Sequence, residues 1–344
     1  MYVESFTCAK DPTRPDLNED RLVVHGDTTF AVIDGVTSKS AMRYGQLTSG
    51  VLAARALARR LAELSDDGTL AYEPANEVVA RLNAALAAEH ERWHIAERVA
   101  RDPAQRFAAG LVVAHLRPDG LRLIAVGDCG ARLNGHPVAH RRNRLDDALA
   151  AVRSAVFAAL SQLQPDVSLE RRLEVARAYT VHGVASEPPG VDLDGATHST
   201  LAARARDAAA AKTADWPEDI AAKVVDGGLL AVSALRRLDT DGTSPLSRAG
   251  LDLGVLDGHP LDPALVFEAS FPVAELEVLE LYTDGYFGSP AEHGRVAHWE
   301  AHHRHVEQVD PHRVGEFAST KGSYGGRNAD DRTVLVVRRE PPAA

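Results

Sequence analysis

Short stretches in which apolar and polar residues alternate predict β-strands near both ends of the chain. Residues 2–8 alternate in this way, and residues 21–25 and 28–34 flank a Gly-Asp turn, which predicts a hairpin. Alternation and short apolar runs predict further strands at 108–116, 121–126, 130–133, 266–271, 276–283 and 332–338. Between about residues 140 and 250 there is almost no strand pattern.

Apolar residues spaced three or four positions apart predict amphipathic helices in the rest of the chain. One such helix is expected at 47–64 and a second at 79–93. The remaining predicted helices are near 146–163, 169–178, 199–212, 218–238, 291–308 and 311–319. This order of elements predicts an α+β domain formed by 1–139 and 251–344, interrupted by a helical insertion at 140–250.

Composition and net charge indicate which partners and which cellular compartment to expect for this protein. The formal net charge of -11 disfavours nucleic acid and anionic membrane surfaces as partners, because both are negatively charged. No signal peptide is evident, and no apolar stretch approaches the ~18 residues that span a bilayer. The two cysteines, Cys8 and Cys129, are too few for a disulfide framework. A cytoplasmic protein is therefore expected, and its oligomeric state is left open.

Acidic residues recur at the ends of the predicted strands or in the turns beside them. They are Glu19 and Asp20 in LNED, Asp34 in FAVIDG, Asp128 in AVGDCG, Asp284 in LELYTDG and Asp330 in NADDRTVLVV. A single Asp-Gly pair at a strand end is ordinary turn chemistry. Several converging carboxylates repel one another, however, and Mg²⁺ or Mn²⁺ would offset that repulsion because both prefer hard oxygen ligands. The recurrence therefore favours a site for divalent cations.

The motif series NED, FAVIDG, VGD, TDG and DDRTVLVV, in this order, resembles the type-2C metal-dependent (PPM) protein phosphatase family. The resemblance covers about residues 2–135 and 250–339 and does not extend into the insertion. It implies a β-sandwich of two antiparallel sheets flanked by α-helices, in α-β-β-α order. It also implies a binuclear Mg²⁺ or Mn²⁺ centre at one edge of the sandwich.

The metal ligands that the resemblance implies are Glu19, Asp20, Asp34, Gly35, Asp128, Asp284 and Asp330. Asp34 would bridge the two metals, and the Gly35 carbonyl would bind one of them. Asp284 and Asp330 would complete the shell of the first metal.

The other acidic motifs have lesser roles by the same resemblance. Glu19 and Asp20 would hold the waters of the second metal, and Asp128 would favour a third ion. Asp330 is chosen over the Asp that follows it because the family Asp lies three residues before a Ser or Thr, here Thr333.

Phosphate recognition departs from the family pattern. The family's phosphate-binding arginine lies four residues before the Glu of NED, where this chain has Pro15. Arg14, one residue away, is the candidate for catalysis and substrate binding because a guanidinium suits a phosphate, and a solvated loop arginine is an equal alternative. Lys39 is a second candidate for substrate binding, and Lys10 is held in reserve. No general acid is evident after Gly35.

These assignments imply a metal-dependent phosphomonoester hydrolase, in the first place a protein serine/threonine phosphatase. Asp34, Asp284 and Arg14 would be the catalytic residues, and a water shared by two cations would attack phosphorus without a phosphoenzyme. The alternatives are a phosphatase of a small phosphorylated metabolite and a non-catalytic binding module. The insertion would serve as a cap, a regulatory subdomain, or a docking or dimerisation module.

Histidine and glycine patterns suggest rival sites. HERWH at 90–94 matches the zinc-protease pattern HExxH but lacks a nearby third ligand, so packing of His90 against the sheet is preferred. The histidines at 298, 302, 303 and 305 lie on one predicted helix, and a solvated polar face is preferred for them. The Gly-rich segment at 320–328 lacks P-loop spacing and is expected to be a mobile loop that leads to Asp330, with Lys321 and Arg327 available to phosphate.

Overall fold

The structure, a computed structural model, describes residues 1–37, 42–139, 143–239, 243–323 and 325–339. These residues form ten β-strands and ten α-helices. The strands are β1 (Tyr2–Cys8), β2 (Arg21–His25), β3 (Thr29–Gly35), β4 (Ala109–Arg117), β5 (Gly120–Val126), β6 (Gly130–Leu133), β7 (His136–Ala139), β8 (Phe267–Phe271), β9 (Val278–Tyr282) and β10 (Arg332–Arg338). The helices are α1 (Ser49–Asp66), α2 (Thr69–Tyr72), α3 (Ala75–Arg92), α4 (Ala96–Arg101), α5 (Arg144–Leu163), α6 (Leu169–His182), α7 (Gly195–Thr213), α8 (Glu218–Leu235), α9 (Pro245–Arg248) and α10 (Val296–Val309).

The chain folds as two compact units. The first unit consists of Met1–Arg142, Leu253–His305 and Asp331–Ala344, and the second of Asn143–Asp252 and Val306–Asp330. The ten strands and α1–α4 belong to the first unit, α5–α9 belong to the second, and the boundary falls within α10. Residues 306–330 thus group with the helical segment, although they follow it by more than fifty residues in the sequence.

The first unit contains two five-stranded sheets, with strand orders β1-β10-β9-β6-β7 and β2-β3-β4-β5-β8. All of the strand pairings between these neighbours are antiparallel. β1 and β10, from opposite ends of the chain, pair along their full lengths, with Tyr2 opposite Arg338 and Cys8 opposite Arg332.

The layers follow from the alternation of side chains across each strand. Val32 in β3 and Leu281 in β9 belong to one apolar core between the sheets. Ile33, the next residue of β3, faces the other way and belongs to a core with α1 and α3. Trp299 of α10 covers Val334 on the outer face of the other sheet. The unit is therefore layered helix, sheet, sheet, helix, which confirms the predicted fold class.

The second unit contains helices α5–α9 and has apolar clusters of its own. Val156, Tyr179 and Leu201, from α5, α6 and α7, belong to one of these clusters. Within the described ranges, no helix of either unit combines the length and the apolar character that a membrane crossing requires.

Two local predictions were wrong. Residues 311–319 form turns rather than a helix, because the Asp310 carboxylate accepts the backbone N–H groups of Val314, Gly315 and Phe317, and Arg313 has a left-handed φ of +53°. The strand β7 was missed, since it is short and contains Pro137, a residue that sheets tolerate at their edges. β7 is an edge strand of its sheet.

Candidate metal centre

Hydrogen bonds join the acidic motifs of the first unit. The Gly35 N–H donates to Glu19 O (3.2 Å), which connects FAVIDG to NED. Thr283 Oγ1 donates to Asp20 Oδ2 (2.7 Å), which connects TDG to NED. The Glu19 N–H donates to Asp331 Oδ2 (3.2 Å), which connects the start of β10 to the same segment. The strand ends of both sheets therefore meet where NED enters β2.

Asp34 and Asp128 lie beside each other across a glycine. In the pairing of β3 with β4, Asp34 is directly opposite Gly110, so their Cβ positions share one face of the sheet and lie about 5 Å apart. A Cβ added to Gly110 would lie 3.5 Å from Asp128 Oδ1. The absence of a side chain at Gly110 leaves this space to the two carboxylates.

The turn after Asp284 fits closely onto the start of β10. A Cβ added to Gly285 would lie 1.9 Å from Asp331 O, so a side chain at this position would force the two segments apart. The Thr283 N–H donates to Thr333 O (3.0 Å), and the Thr333 N–H donates to Thr283 Oγ1 (2.9 Å). These contacts fix the backbone on either side of Asp284.

Cys129 is close to four of the motif carboxylates. Its side chain is buried, and its pKa is raised first by that burial and then by the negative charges of Asp34, Asp128, Asp20 and Asp284. Four of the predicted ligands, contributed by strand ends of both sheets, therefore act electrostatically on one sulfur atom. Three of them (Asp34, Asp128 and Asp284) are half-buried.

The carboxylate of Glu19 accepts hydrogen bonds from three side chains. Thr48 Oγ1 donates to Glu19 Oε1 (2.6 Å), and Lys10 Nζ donates to Glu19 Oε2 (2.8 Å). Thr37 Oγ1 donates to the same Oε2 atom. Three donors thus hold the Glu19 carboxylate in place, and its Oε1 atom accepts only one of them.

Two adjacent carboxylates before β10 have different partners. Asp331 accepts the backbone N–H of Lys10 (2.7 Å) and that of Glu19, so it braces the NED segment. Asp330, the predicted ligand, belongs to the second unit and forms an ion pair with Lys321. The side chain of Asp330 is 8% exposed.

The candidate phosphate-binding cations differ in their placement. Arg14 directs its guanidinium at Asp16, with Nε and Nη2 at 3.2 and 3.0 Å from the two carboxylate oxygens, and both side chains are exposed. Lys10 instead lies among the motif carboxylates, with Nζ 3.6 Å from Asp331 Oδ2 in addition to its bond to Glu19. Lys39 lies outside the described residues.

The donor set suits a hard divalent cation in its chemistry, because the side chains at the motifs offer carboxylate oxygens, the ligands that Mg²⁺ and Mn²⁺ prefer. Within the described ranges, however, no three His, Cys, Asp or Glu side chains are already drawn together as a metal site. Mg²⁺ retains several waters and commonly binds through one or two carboxylates. The residues therefore fit ions that are bound partly through water.

The groups that hold the site in place were not recognised in the sequence. Thr48 is the N-cap of α1, where its Oγ1 accepts the Val51 N–H (3.2 Å) while donating to Glu19. A Thr before a helical pattern is a visible cap signal, but its partner at position 19 is not. In the sequence, only their positions distinguish Thr283 and Cys129, because each is adjacent to a predicted ligand.

The histidine patterns have structural partners. His90 is buried and its Nε2 accepts the Phe107 N–H (3.0 Å), so the ring atom that a zinc ion would need is occupied. On α10, His302 Nε2 contacts Phe287 O (2.9 Å) and His303 is 7% exposed. The prediction of a solvated face was therefore wrong for these two histidines.

Acidification should destabilise the protein through His90. Burial, together with the nearby His259 and Arg106, lowers the pKa of His90 from 6.5 to about 4. Between these values the unfolded chain binds more protons than the folded one, so the contribution of neutral His90 is present above pH 6.5 and is lost as the pH falls toward 4. The free energy of unfolding should fall by up to about 3 kcal/mol over this window.

The His90→Gln variant provides the measurement. Its amide oxygen preserves an acceptor for the Phe107 N–H but does not titrate, so urea unfolding at pH 4.5 and 7 should show a smaller pH dependence than in the wild type. His94→Gln alters the exposed histidine of the same HExxH pattern and should leave the pH dependence unchanged. Equal pH dependence in wild type and His90→Gln would contradict the assignment.

The protein matches no family model and no curated protein. The solved structures that it resembles include the Mycobacterium tuberculosis serine/threonine phosphatase PstP/Ppp, at 14% identity over 99% of both chains with a TM-score of 0.42. They also include Stp1 from Staphylococcus aureus, at 10% identity over 98% of this chain and 95% of the other with a TM-score of 0.41. A bacterial serine phosphatase has 11% identity over 100% of both chains and a TM-score of 0.41. At these scores, the fold assignment rests on the strand order and register of this chain.

Proposed function

We propose that the protein is a metal-dependent phosphomonoester hydrolase that acts on phosphoserine or phosphothreonine in proteins. The observation that carries the proposal is the set of hydrogen bonds that joins the NED, FAVIDG and TDG motifs and the start of β10. Asp20, Asp34, Asp128 and Asp284 at these strand ends are also close enough to Cys129 to raise the pKa of its thiol. Carboxylates gathered at strand ends, half-buried rather than sealed in an apolar core, suit Mg²⁺ or Mn²⁺. Hydrolysis of a phosphate ester is chemistry that a pair of such ions supports.

The residues of the first unit have distinct roles in this proposal. Asp34 would hold two ions, the Gly35 carbonyl would hold one of them, Asp284 would hold the first, and Asp128 would favour a third. The ions, when bound, supply an activated water and neutralise charge on the phosphoryl oxygens. The threonine at 283 keeps Asp20 and the TDG turn together, so that its neighbour Asp284 is fixed in orientation before any ion arrives.

Two further roles belong to residues other than Asp20, Asp34, Asp128 and Asp284. Asp330 is a further candidate metal ligand from the sequence. The phosphate of the substrate is oriented by a cation, for which Arg14 and Lys39 are the candidates from the sequence. Lys10 is a further candidate because its ammonium group contacts the carboxylates of Glu19 and Asp331.

Metal dependence tests the proposal directly. After treatment with a chelator and removal of that chelator, the full chain should hydrolyse neither p-nitrophenyl phosphate nor a phosphothreonine peptide. Added Mn²⁺ or Mg²⁺ should restore turnover by at least about a hundredfold, since a metal ion contributes several kcal/mol of transition-state stabilisation. Initial rates should be measured across a titration of each metal.

Asp34→Asn, purified in parallel, controls for a contaminating phosphatase. Turnover that survives exhaustive chelation, or that only Zn²⁺ restores, would contradict the proposal. A panel of phosphorylated metabolites assayed beside phosphopeptides tests the substrate class. Higher kcat/KM for a metabolite than for every phosphopeptide would retain the chemistry but reject a protein substrate.

A further inference from the structure

The segment from Asp310 to Ser323, called here the 310–323 loop, is closed on itself within the second unit. The Ser323 N–H donates to Pro311 O (3.0 Å), and Ser323 O lies 2.8 Å from His312 Nδ1. The Asp310 carboxylate accepts three backbone N–H groups of the loop. The loop therefore has a defined shape despite its lack of regular secondary structure.

A buried arginine from the helical segment fills this loop. Arg153 lies on α5 and is 4% exposed. Its Nη1 donates to His312 O (2.7 Å), Arg313 O (2.8 Å) and Ser319 O (3.3 Å). Three backbone carbonyls of the loop thus converge on one guanidinium.

A glycine and a carboxylate of the loop accommodate the guanidinium of Arg153. A Cβ added to Gly322 would lie 2.6 Å from Arg153 Nη2, so glycine leaves the room that the guanidinium needs. Burial lowers the pKa of Arg153 to about 10, and the negative charge of Asp310 opposes that shift. Arg153 is therefore a cation at neutral pH, buried beside a carboxylate that is itself part of the loop.

The loop also contains Lys321, a second cation, which contacts Asp330. Lys321 extends from the loop to form the ion pair with the Asp330 carboxylate. The Lys321 N–H also donates to Ser319 Oγ (3.3 Å), and Ser319 O is one of the carbonyls that Arg153 holds. Arg153 is therefore linked to Asp330 through two residues of the loop.

We propose that Lys321 is a built-in counter-ion that competes with metal for Asp330, and that Arg153 is the positioning residue that holds it there. The inference rests on the proposed function in one respect, namely that Asp330 is a metal ligand. An ammonium group in contact with a ligand carboxylate neutralises it and repels a divalent cation, so metal binding must displace Lys321.

The direction of the effect follows from how Asp330 is anchored. Asp330 is followed directly by Asp331, whose carboxylate is tied to backbone N–H groups, and then by β10. Loosening the 310–323 loop should therefore withdraw Lys321 while the main chain at Asp330 stays in place. Loss of either Lys321 or Arg153 should strengthen metal binding.

Calorimetric titration of the metal-free full chain with Mn²⁺, without substrate and at fixed ionic strength, measures this effect. Lys321→Gln should bind Mn²⁺ roughly fivefold more tightly than the wild type, the scale of a partly exposed ion pair. Lys223→Gln makes the same charge change in an exposed pair on α8 and should leave the affinity unchanged.

A double-mutant cycle tests the link to Arg153. Arg153→Lys keeps the charge but not the guanidinium that reaches three carbonyls, so it should bind Mn²⁺ more tightly and show faster hydrogen exchange in the 310–323 loop. In the Lys321→Gln background, Arg153→Lys should add no further affinity. Arg172→Lys, which alters a partly buried arginine of the same helical segment bound to Val167 O, controls for general loosening and should not change the affinity.

The outcomes separate this inference from the proposed function. Unchanged or weaker Mn²⁺ binding by Lys321→Gln would overturn the role of the counter-ion. Additive effects in the cycle would overturn the role of Arg153 as its positioning residue. If Asp34→Asn binds Mn²⁺ as well as the wild type does, the metal centre itself is wrongly placed and the proposed function fails with it.

Discussion

Asp34→Asn and Asp284→Asn are each expected to lower the metal-supported hydrolysis of a phosphopeptide by about a thousandfold, since each removes a ligand of ions that supply several kcal/mol of transition-state stabilisation. The amide keeps the size of the side chain, so the loss can be attributed to charge and ligation. Initial rates at saturating Mn²⁺ are the measurement, because a variant with weakened metal binding alone would recover there.

Folding of the same variants should not suffer. Asp34 and Asp284 are half-buried beside other carboxylates, so removing one negative charge relieves repulsion when no metal is present. The melting temperature of metal-free Asp34→Asn should be equal to or higher than that of the wild type. The stabilisation by Mn²⁺ that the wild type shows should be smaller in the variant, because linkage requires binding.

Asp27→Asn is the matched control. Asp27 is an exposed carboxylate in the turn between β2 and β3, and it has the same local sequence setting, a turn at a strand end, as the predicted ligands. Its substitution should change neither rate nor Mn²⁺ affinity. Rates near the wild-type value for Asp34→Asn or Asp284→Asn at saturating Mn²⁺ would show that the substituted residue is not part of the catalytic centre.

The sheets were predictable because their chemistry is local. A strand such as β3, with Val32 and Ile33 buried on opposite faces, leaves a continuous apolar run in the sequence, and the end of the run marks where Asp34 emerges. The same logic located Asp128 and Asp284. What joins these positions is long-range, as in the bond from Thr283 to Asp20, and no pattern in the sequence specifies such a pairing.

The failures have the same origin. The helix predicted at 311–319 ignored Asp310, whose carboxylate captures the N–H groups that a helix would use. The sequence left Arg14 between phosphate binding and a solvated loop arginine, and it gave no sign of the ion pair with the carboxylate two residues away. Arg153 is one of many arginines in an Ala- and Arg-rich segment. Only the fold shows that its side chain is buried and that its guanidinium contacts the 310–323 loop.

A buried ion pair in the sheet β1-β10-β9-β6-β7 should dominate the stability of the first unit. Glu280 on β9 is directly opposite Arg132 on β6, and their side chains are 0% and 3% exposed, with Glu280 Oε2 3.3 Å from Arg132 Nε. Glu280 Oε1 accepts the Gly294 N–H (2.9 Å) and Trp299 Nε1–H (3.0 Å). The carboxylate therefore balances a buried charge and anchors α10 to the sheet.

Glu280→Gln is expected to lower the free energy of unfolding by about 3–5 kcal/mol, because it leaves the Arg132 charge buried without its counter-ion. The amide oxygen can still accept from Trp299, so the cost reports the charge rather than a cavity. Urea unfolding followed by circular dichroism gives the value, and hydrogen exchange of β6 and β9 peptides assigns the transition to this sheet. The double variant Arg132→Met/Glu280→Leu should recover part of the loss, since it removes both buried charges.

Glu73→Gln is the control for charge removal as such. The Arg81–Glu73 pair is also an arginine–glutamate pair, but its side chains are 45% and 33% exposed, so its loss should cost no more than about 1 kcal/mol. If Glu280→Gln is as mild as Glu73→Gln, the buried pair contributes no more than a surface pair. A milder loss would also mean that Arg132 is compensated by its bonds to Gly135 O and Pro290 O, and that α10 is held to the sheet by the apolar packing of Trp299.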